Sequence, residues 1–208
     1  MLTRIRALAW LLVLSVGVGS AAAQPVTYYL RPGSTDQQGC FHLCACFVSS
    51  NEPLRGRFDL TPTQPDPVFM NFAVSNVVFR SPAFHQTFVG SGTYQIGGDP
   101  AALQRMRLDL SIDGLDPLHW DSLYQTPAAS SPAINAVLTI NNYECYDIVL
   151  TLKATPLRSD WNADGAITTT DIFDFLNTWL AGDGDANDDG QTGTADIFAF
   201  LDDWFAGR

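Results

Sequence analysis

One stretch of sequence occurs twice near the C-terminal end of this 208-residue chain. DWNADGAITTTDIFDFLNTWLAG opens at Asp160, and DANDDGQTGTADIFAFLDDWFAG opens 25 positions later at Asp185. Each copy carries D-x-N-x-D-G with a further Asp six residues after the Gly. Positions 1, 3, 5 and 12 of a twelve-residue loop therefore hold side-chain oxygens: Asp160, Asn162, Asp164 and Asp171, then Asp185, Asn187, Asp189 and Asp196. That spacing suits a hard cation with about six to eight oxygen ligands in flexible geometry, which points to Ca²⁺ before Mg²⁺. Gly165 and Gly190 stand where the loop must turn sharply. A self-repeat at fixed period also implies two equivalent units stacked or paired together.

An apolar stripe at helical spacing follows each loop. Ile172, Phe173, Phe175, Leu176, Trp179 and Leu180 form the first, and Ile197, Phe198, Phe200, Leu201, Trp204 and Phe205 the second. Gly182 and Gly207 then stop the helices. Helices this short are marginal alone, so the two are expected to pack on each other. The segment has no cysteine, which leaves metal as its staple.

TPLRS precedes Asp160 and cannot form the entering helix of a full EF-hand. Loop then helix, twice, with no entering helices, closely resembles the dockerin domain over about 159–207. The resemblance implies two Ca²⁺ sites. The first would take Asp160, Asn162, Asp164, the Ala166 carbonyl, Thr168 and Asp171. The second would take Asp185, Asn187, Asp189, the Gln191 carbonyl, a water beside Gly193 and Asp196. It also implies a cohesin-like module or surface scaffold as partner, met through loop positions 10 and 11: Thr169 and Thr170, then Thr194 and Ala195. Two features depart from the usual pattern: Thr192 replaces an aliphatic at position 8, and the mid-helix positions are Asn177, Thr178, Asp202 and Asp203 rather than basic. The plainer alternative is a pair of calcium loops that only stiffen the C-terminal tail.

At the other end, Arg4 and Arg6 precede an apolar run from about residue 7 to 18, and Ala21-Ala22-Ala23 supplies a small-residue cleavage site. Residues 1–23 read as a secretory signal peptide, too short to span a membrane, so the mature chain is expected outside the cell. Its charge is uneven. From residue 156 onward there are eleven Asp, no Glu and two Arg, which accounts for −9 of the chain's −11. An acidic chain without a basic patch argues against nucleic acid or an anionic membrane as partner.

Between these ends, residues 24–155 show repeated period-two alternation. In 104–112, Met106, Leu108, Leu110 and Ile112 alternate with polar residues; 54–60, 134–140 and 146–154 behave alike. Further strands are expected at 27–30, 41–48, 68–74, 84–89 and 92–96, each bounded by turn residues. Eight to ten short strands imply an antiparallel sandwich or barrel. The expected architecture is thus a mainly β domain followed by a small helical calcium-loop unit at 156–208. Cys40, Cys44, Cys46 and Cys145 are expected to form two disulfides, with three pairings open and a Cys44–Cys46 bond the least favoured. A thiolate metal site using Cys145 or His42 is the rival, but it lacks the C-x2-C hairpin of zinc sites.

No catalytic constellation is legible. Glu52, Asp113, Asp116, Asp121, Glu144 and Asp147 mostly sit in turn contexts, and His42, His85 and His119 are scattered. GSGTYQIGG does not match a phosphate loop and is read as turn or bulge material. Tyr28, Tyr29, Trp120 and Tyr124 are aromatic groups able to stack on sugars, with core packing as the simpler role. The function expected is an exported, non-catalytic β-domain docked through its Ca²⁺-dependent C-terminal module. The alternative is a small secreted hydrolase acting on polysaccharide and tethered by the same module.

Overall fold

The computed structural model describes residues 23–42, 44–64, 66–127, 132–187 and 189–208. The leader read at 1–23 lies outside these residues apart from Ala23. Among the described residues, no helix is long and apolar enough to cross a membrane.

Ten strands make one antiparallel sheet: β1 (Val26–Leu30), β2 (Thr35–Phe41), β3 (Glu52–Pro53), β4 (Arg55–Pro62), β5 (Phe69–Ser81), β6 (Gln86–Gly97), β7 (Leu103–Ile112), β8 (Leu118–Asp121), β9 (Ile134–Leu138) and β10 (Cys145–Thr155). The sheet path runs β3-β2-β10-β1-β4-β5-β6-β7-β8, with β9 added beside β10. The path is open, and it folds over on itself. Trp120 of β8 donates its indole N–H to the Ile148 carbonyl of β10 at 3.0 Å, although these strands lie far apart along the sheet. The inward faces share one core that includes Phe58, Phe79, Phe88, Leu110, Trp120, Leu138 and Leu150. The arrangement is consistent with a sandwich.

The alternating segments become β4, β7, β9 and β10 because one face of each enters this core. The middle of the sheet departs from the expected short strands. β5 runs thirteen residues through a bulge between Val74 and Val77, with Asn76 at φ 51°. The bulge inserts extra backbone, so Val74 and Val77 both point inward although they are three apart, and the period-two pattern is lost there. Gly90 and Gly92 lie opposite this bulge, where a Cβ would meet the carbonyls of Asp109 and Arg107.

The strand expected at 41–48 does not form. Both disulfides, Cys40–Cys46 and Cys44–Cys145, fold that segment into a loop after β2. β2 itself reads TDQQGCF and escaped notice because its inward residues, Asp36 and Gln38, are polar. Asp36 is fully buried, Gln38 donates to it at 2.9 Å, and burial raises its carboxyl above the ordinary range.

The two disulfides close chain segments of very different length, 101 against 6 residues of separation. In the chain-entropy account, a loop of about 100 residues contributes about 4.7 kcal/mol and the short one about 2 kcal/mol. Equilibrium urea unfolding of paired Cys→Ser variants should therefore show Cys44/Cys145 as the costlier removal. An equal or reversed order contradicts this.

Candidate functional site

Helix α1 (Thr169–Leu180) and helix α2 (Thr194–Ala206) follow the two loops. The loops carry the same internal hydrogen bonds. In the first, Asp160 accepts from the N–H groups of Asp164 at 3.1 Å and Gly165 at 3.0 Å, Asn162 from Asp164 at 2.9 Å, and Asp164 from Ala166 at 2.9 Å. In the second, Asp185 accepts from Asp189 at 3.1 Å and Gly190 at 2.8 Å, Asn187 from Asp189 at 2.9 Å, and Asp189 from Gln191 at 2.8 Å. Each side chain thus folds back over its own loop. Gly165 at φ 93° and Gly190 at φ 88° make the turn, in a region where a Cβ is strained.

The position-12 carboxylates join loop to helix. Asp171 accepts from Trp161 at 2.8 Å and from Thr168 at 2.7 Å; Asp196 accepts from Ala186 at 3.0 Å and from Gly193 at 2.7 Å. Both are buried, and both sit in the first turn of a helix, where negative charge is favoured. Thr168 is the N-cap of α1, its hydroxyl accepting from the Thr170 N–H at 3.2 Å. Thr169, Thr170, Thr194 and Ala195 are exposed on the first turns.

The helices pair about a pseudo-twofold. Phe175 and Phe200 stack with ring centroids 4.2 Å apart and planes 5° from parallel, and Trp161 stands edge-on to both. Trp179 of α1 donates to the Gly193 carbonyl of the second loop at 2.7 Å, while Trp204 of α2 donates to the Thr168 carbonyl of the first at 3.0 Å. Each helix therefore closes the other's loop. The apolar stripes do not bury whole. Phe173, Leu180, Phe198 and Phe205 are 65–78% exposed. On a helix of 3.6 residues per turn they point away from the 172/175/176/179 face that meets the partner helix.

The unit sits directly on the β-domain. The Thr155 hydroxyl at the end of β10 donates to Asp160 Oδ2 at 3.0 Å. Arg31 donates to the Arg158 carbonyl at 2.7 Å and lies over the Trp161 ring at 5.3 Å. Arg55 of β4 pairs with Asp183 and approaches Asp185 at 3.8 Å. Sequence reasoning missed Thr155, Arg31 and Arg55, since no spacing links them to the loops. The 25-residue offset does relate Trp179 to Trp204, which was the available signal for the crossed bonds.

Each loop offers a donor set that suits a hard cation: carboxylates at positions 1, 5 and 12 and an amide oxygen at position 3. Among the described residues, no three His, Cys, Asp or Glu groups converge as a ready metal cluster. The fit lies in oxygen chemistry and loop shape. Burial holds the Asp160 carboxyl above its ordinary 3.8, with the Asp171 charge adding to the rise and the Thr155, Gly165 and Asp164 donors opposing it. Three of the carboxylates read from sequence in the β-domain serve structural bonds. Asp113 accepts from the Thr87 N–H, Asp121 pairs with Arg105, and buried Asp147 accepts from Ile140, Tyr143 and Ile148. Trp120 is buried, Tyr28 stacks on Phe58, Tyr29 lies under Arg31 and Arg158, and Tyr124 lies exposed beneath Arg105. The chain matches no protein-family model, no curated protein and no solved structure.

Phe175→Ala should destabilise the helical unit by about 3–5 kcal/mol, read as loss of helical circular dichroism before the sheet transition. Coincident loss of both signals contradicts this. In metal-free protein the raised Asp160 value has a definite sign. Its stabilising contribution is complete below the unfolded value near 3.8 and is lost as pH rises through the folded one. Asp160→Asn should flatten that fall in the helical melting temperature measured in chelator; an unchanged slope counts against it.

Proposed function

We propose that this chain is an exported, non-catalytic β-domain held in place by a Ca²⁺-dependent C-terminal module of the dockerin type. The observation that carries the reading is the duplication itself: two loops with matching internal bonds, each followed by a helix that exposes apolar groups in matching register. Asp160, Asn162, Asp164 and Asp171 would hold one ion, and Asp185, Asn187, Asp189 and Asp196 the other. The Ala166 and Gln191 carbonyls at position 7 would complete them. The ion would supply the positive charge that the loop carboxylates lack.

The exposed faces support docking. Thr169 and Thr170 continue into Phe173 and Leu180 along α1; Thr194 and Ala195 continue into Phe198 and Phe205 along α2. Large apolar groups gathered on one exposed surface are a mark of interaction sites. A cohesin-like module or surface scaffold is the partner proposed. The β-domain carboxylates Asp113, Asp121 and Asp147 are committed to turns and ion pairs, which favours display or binding over hydrolysis. The disulfides suit an oxidising, extracellular setting.

Two measurements test this. Chelation should lower the melting temperature of the helical circular dichroism and leave the sheet transition in place, because the six loop carboxylates then repel without an ion; an unchanged helical transition in chelator sinks the calcium reading. In a pulldown from the source organism's extracellular proteins, a partner should be captured only with Ca²⁺. Phe173→Ser with Phe198→Ser should weaken that capture by tenfold or more, on the order of one or two interface anchors. Recovery of no partner leaves the loops as tail stiffeners.

A further inference from the structure

We propose that Arg55 of the β-domain is an affinity-setting residue of the second loop, making its cation site weaker than the first. The proposal rests on the calcium reading above and adds what that reading does not contain: a residue from outside the repeat that distinguishes its two halves.

The loops are alike inside and unlike outside. Position 1 of the first loop, Asp160, receives the neutral hydroxyl of Thr155 at 3.0 Å. Position 1 of the second, Asp185, instead faces the Arg55 guanidinium, with Arg55 Nη1 at 3.8 Å from the same Oδ2 that accepts the Gly190 N–H. The residue two before each position 1 is also of opposite charge. Asp183 precedes the second loop and pairs with Arg55, whereas Arg158 precedes the first and turns away to Asp203 at 3.5 Å. Arg55 is held from two sides, by its place at the start of β4 and by the Asp183 carboxylate. It borders a groove of about 550 Å³ whose walls include Arg80, Asp185 and Gly190.

A fixed guanidinium beside a ligating carboxylate has two effects. It offsets the repulsion among the loop's acids when no ion is present, and it lowers the negative potential that attracts a divalent cation. The second effect weakens binding, by about tenfold for a coupling of ordinary size. Linkage makes it reciprocal: an ion in the second loop loosens the Arg55 contact by the same factor. Among the described residues no guanidinium pairs with Asp160: Arg31 lies over Trp161 and donates to the Leu157 and Arg158 carbonyls, and the tie of Asp160 to the β-domain is the Thr155 hydroxyl. Calcium in the second loop would therefore loosen one of the contacts between helical unit and β-domain.

Isothermal titration calorimetry of Ca²⁺ into the metal-stripped full chain tests this. Wild type should show two classes of site. Arg55→Ala should tighten the weaker class by about tenfold and leave the other within about twofold, and raised ionic strength should shrink the difference. Arg55→Lys keeps the charge and should restore the wild-type affinity, which separates charge from folding defects. In an Asp185→Asn background, Arg55→Ala should have no further effect. Two wild-type sites that Arg55→Ala leaves unchanged or weakens overturn the proposal while sparing the calcium reading. An Arg55→Ala effect that persists in the Asp185→Asn background also overturns it. Failure of wild type to bind Ca²⁺ at all removes both.

Discussion

Two stacked rings, Phe175 and Phe200, hold together a unit that has little else to hold it. Helices of 12 and 13 residues are marginal alone, and the segment contains no disulfide. The stack lets each helix bury one face, and Trp161 seals it from the side. Once the rings are in register, Trp179 and Trp204 reach the carbonyls of each other's loops. Loop shape therefore depends on helix pairing, and pairing depends on both loops delivering their helices at the right angle. The negative charge works against this assembly. A bound cation, or in its absence the backbone N–H groups and the arginines around the loops, must offset it.

The same unit is seated on the β-domain rather than carried on a linker. β10 ends at Thr155, and Asp160 begins the first loop only five residues later, with Ser159 and Asp160 fully buried. Arg31 directly follows β1, Thr155 ends β10 and Arg55 starts β4, so the seat exists only because the sheet brings those strand ends together. This seat covers the first residue of each loop. Phe173, Leu180, Phe198 and Phe205 of the two helices remain exposed.

Legibility differed by region for physical reasons. β4, β7, β9 and β10 were visible because each places alternate residues in a single core. β2 was hidden because its inward positions are Asp36 and Gln38, and β5 because the bulge at Asn76 shifts the phase of alternation. The segment at 41–48 reads as a strand by its apolar content, yet the two disulfides bend it into a loop. The loop-then-helix repeats were legible residue by residue because their turn glycines and the Asp and Asn side chains that fold back on the loop act within one short segment.

By itself the sequence determined the local devices: two oxygen-lined loops, two short helices with apolar stripes, the cysteine count and the sheet-forming pattern of the body. Each of these follows from interactions between residues close in the chain, where spacing alone carries the geometry. Only the tertiary structure decided which cysteines pair, which half of each apolar stripe is buried, and that Arg55 and Thr155 meet the first residues of the two loops. Those outcomes join residues up to 130 positions apart, and no local pattern records a contact that exists only after the sheet has folded over.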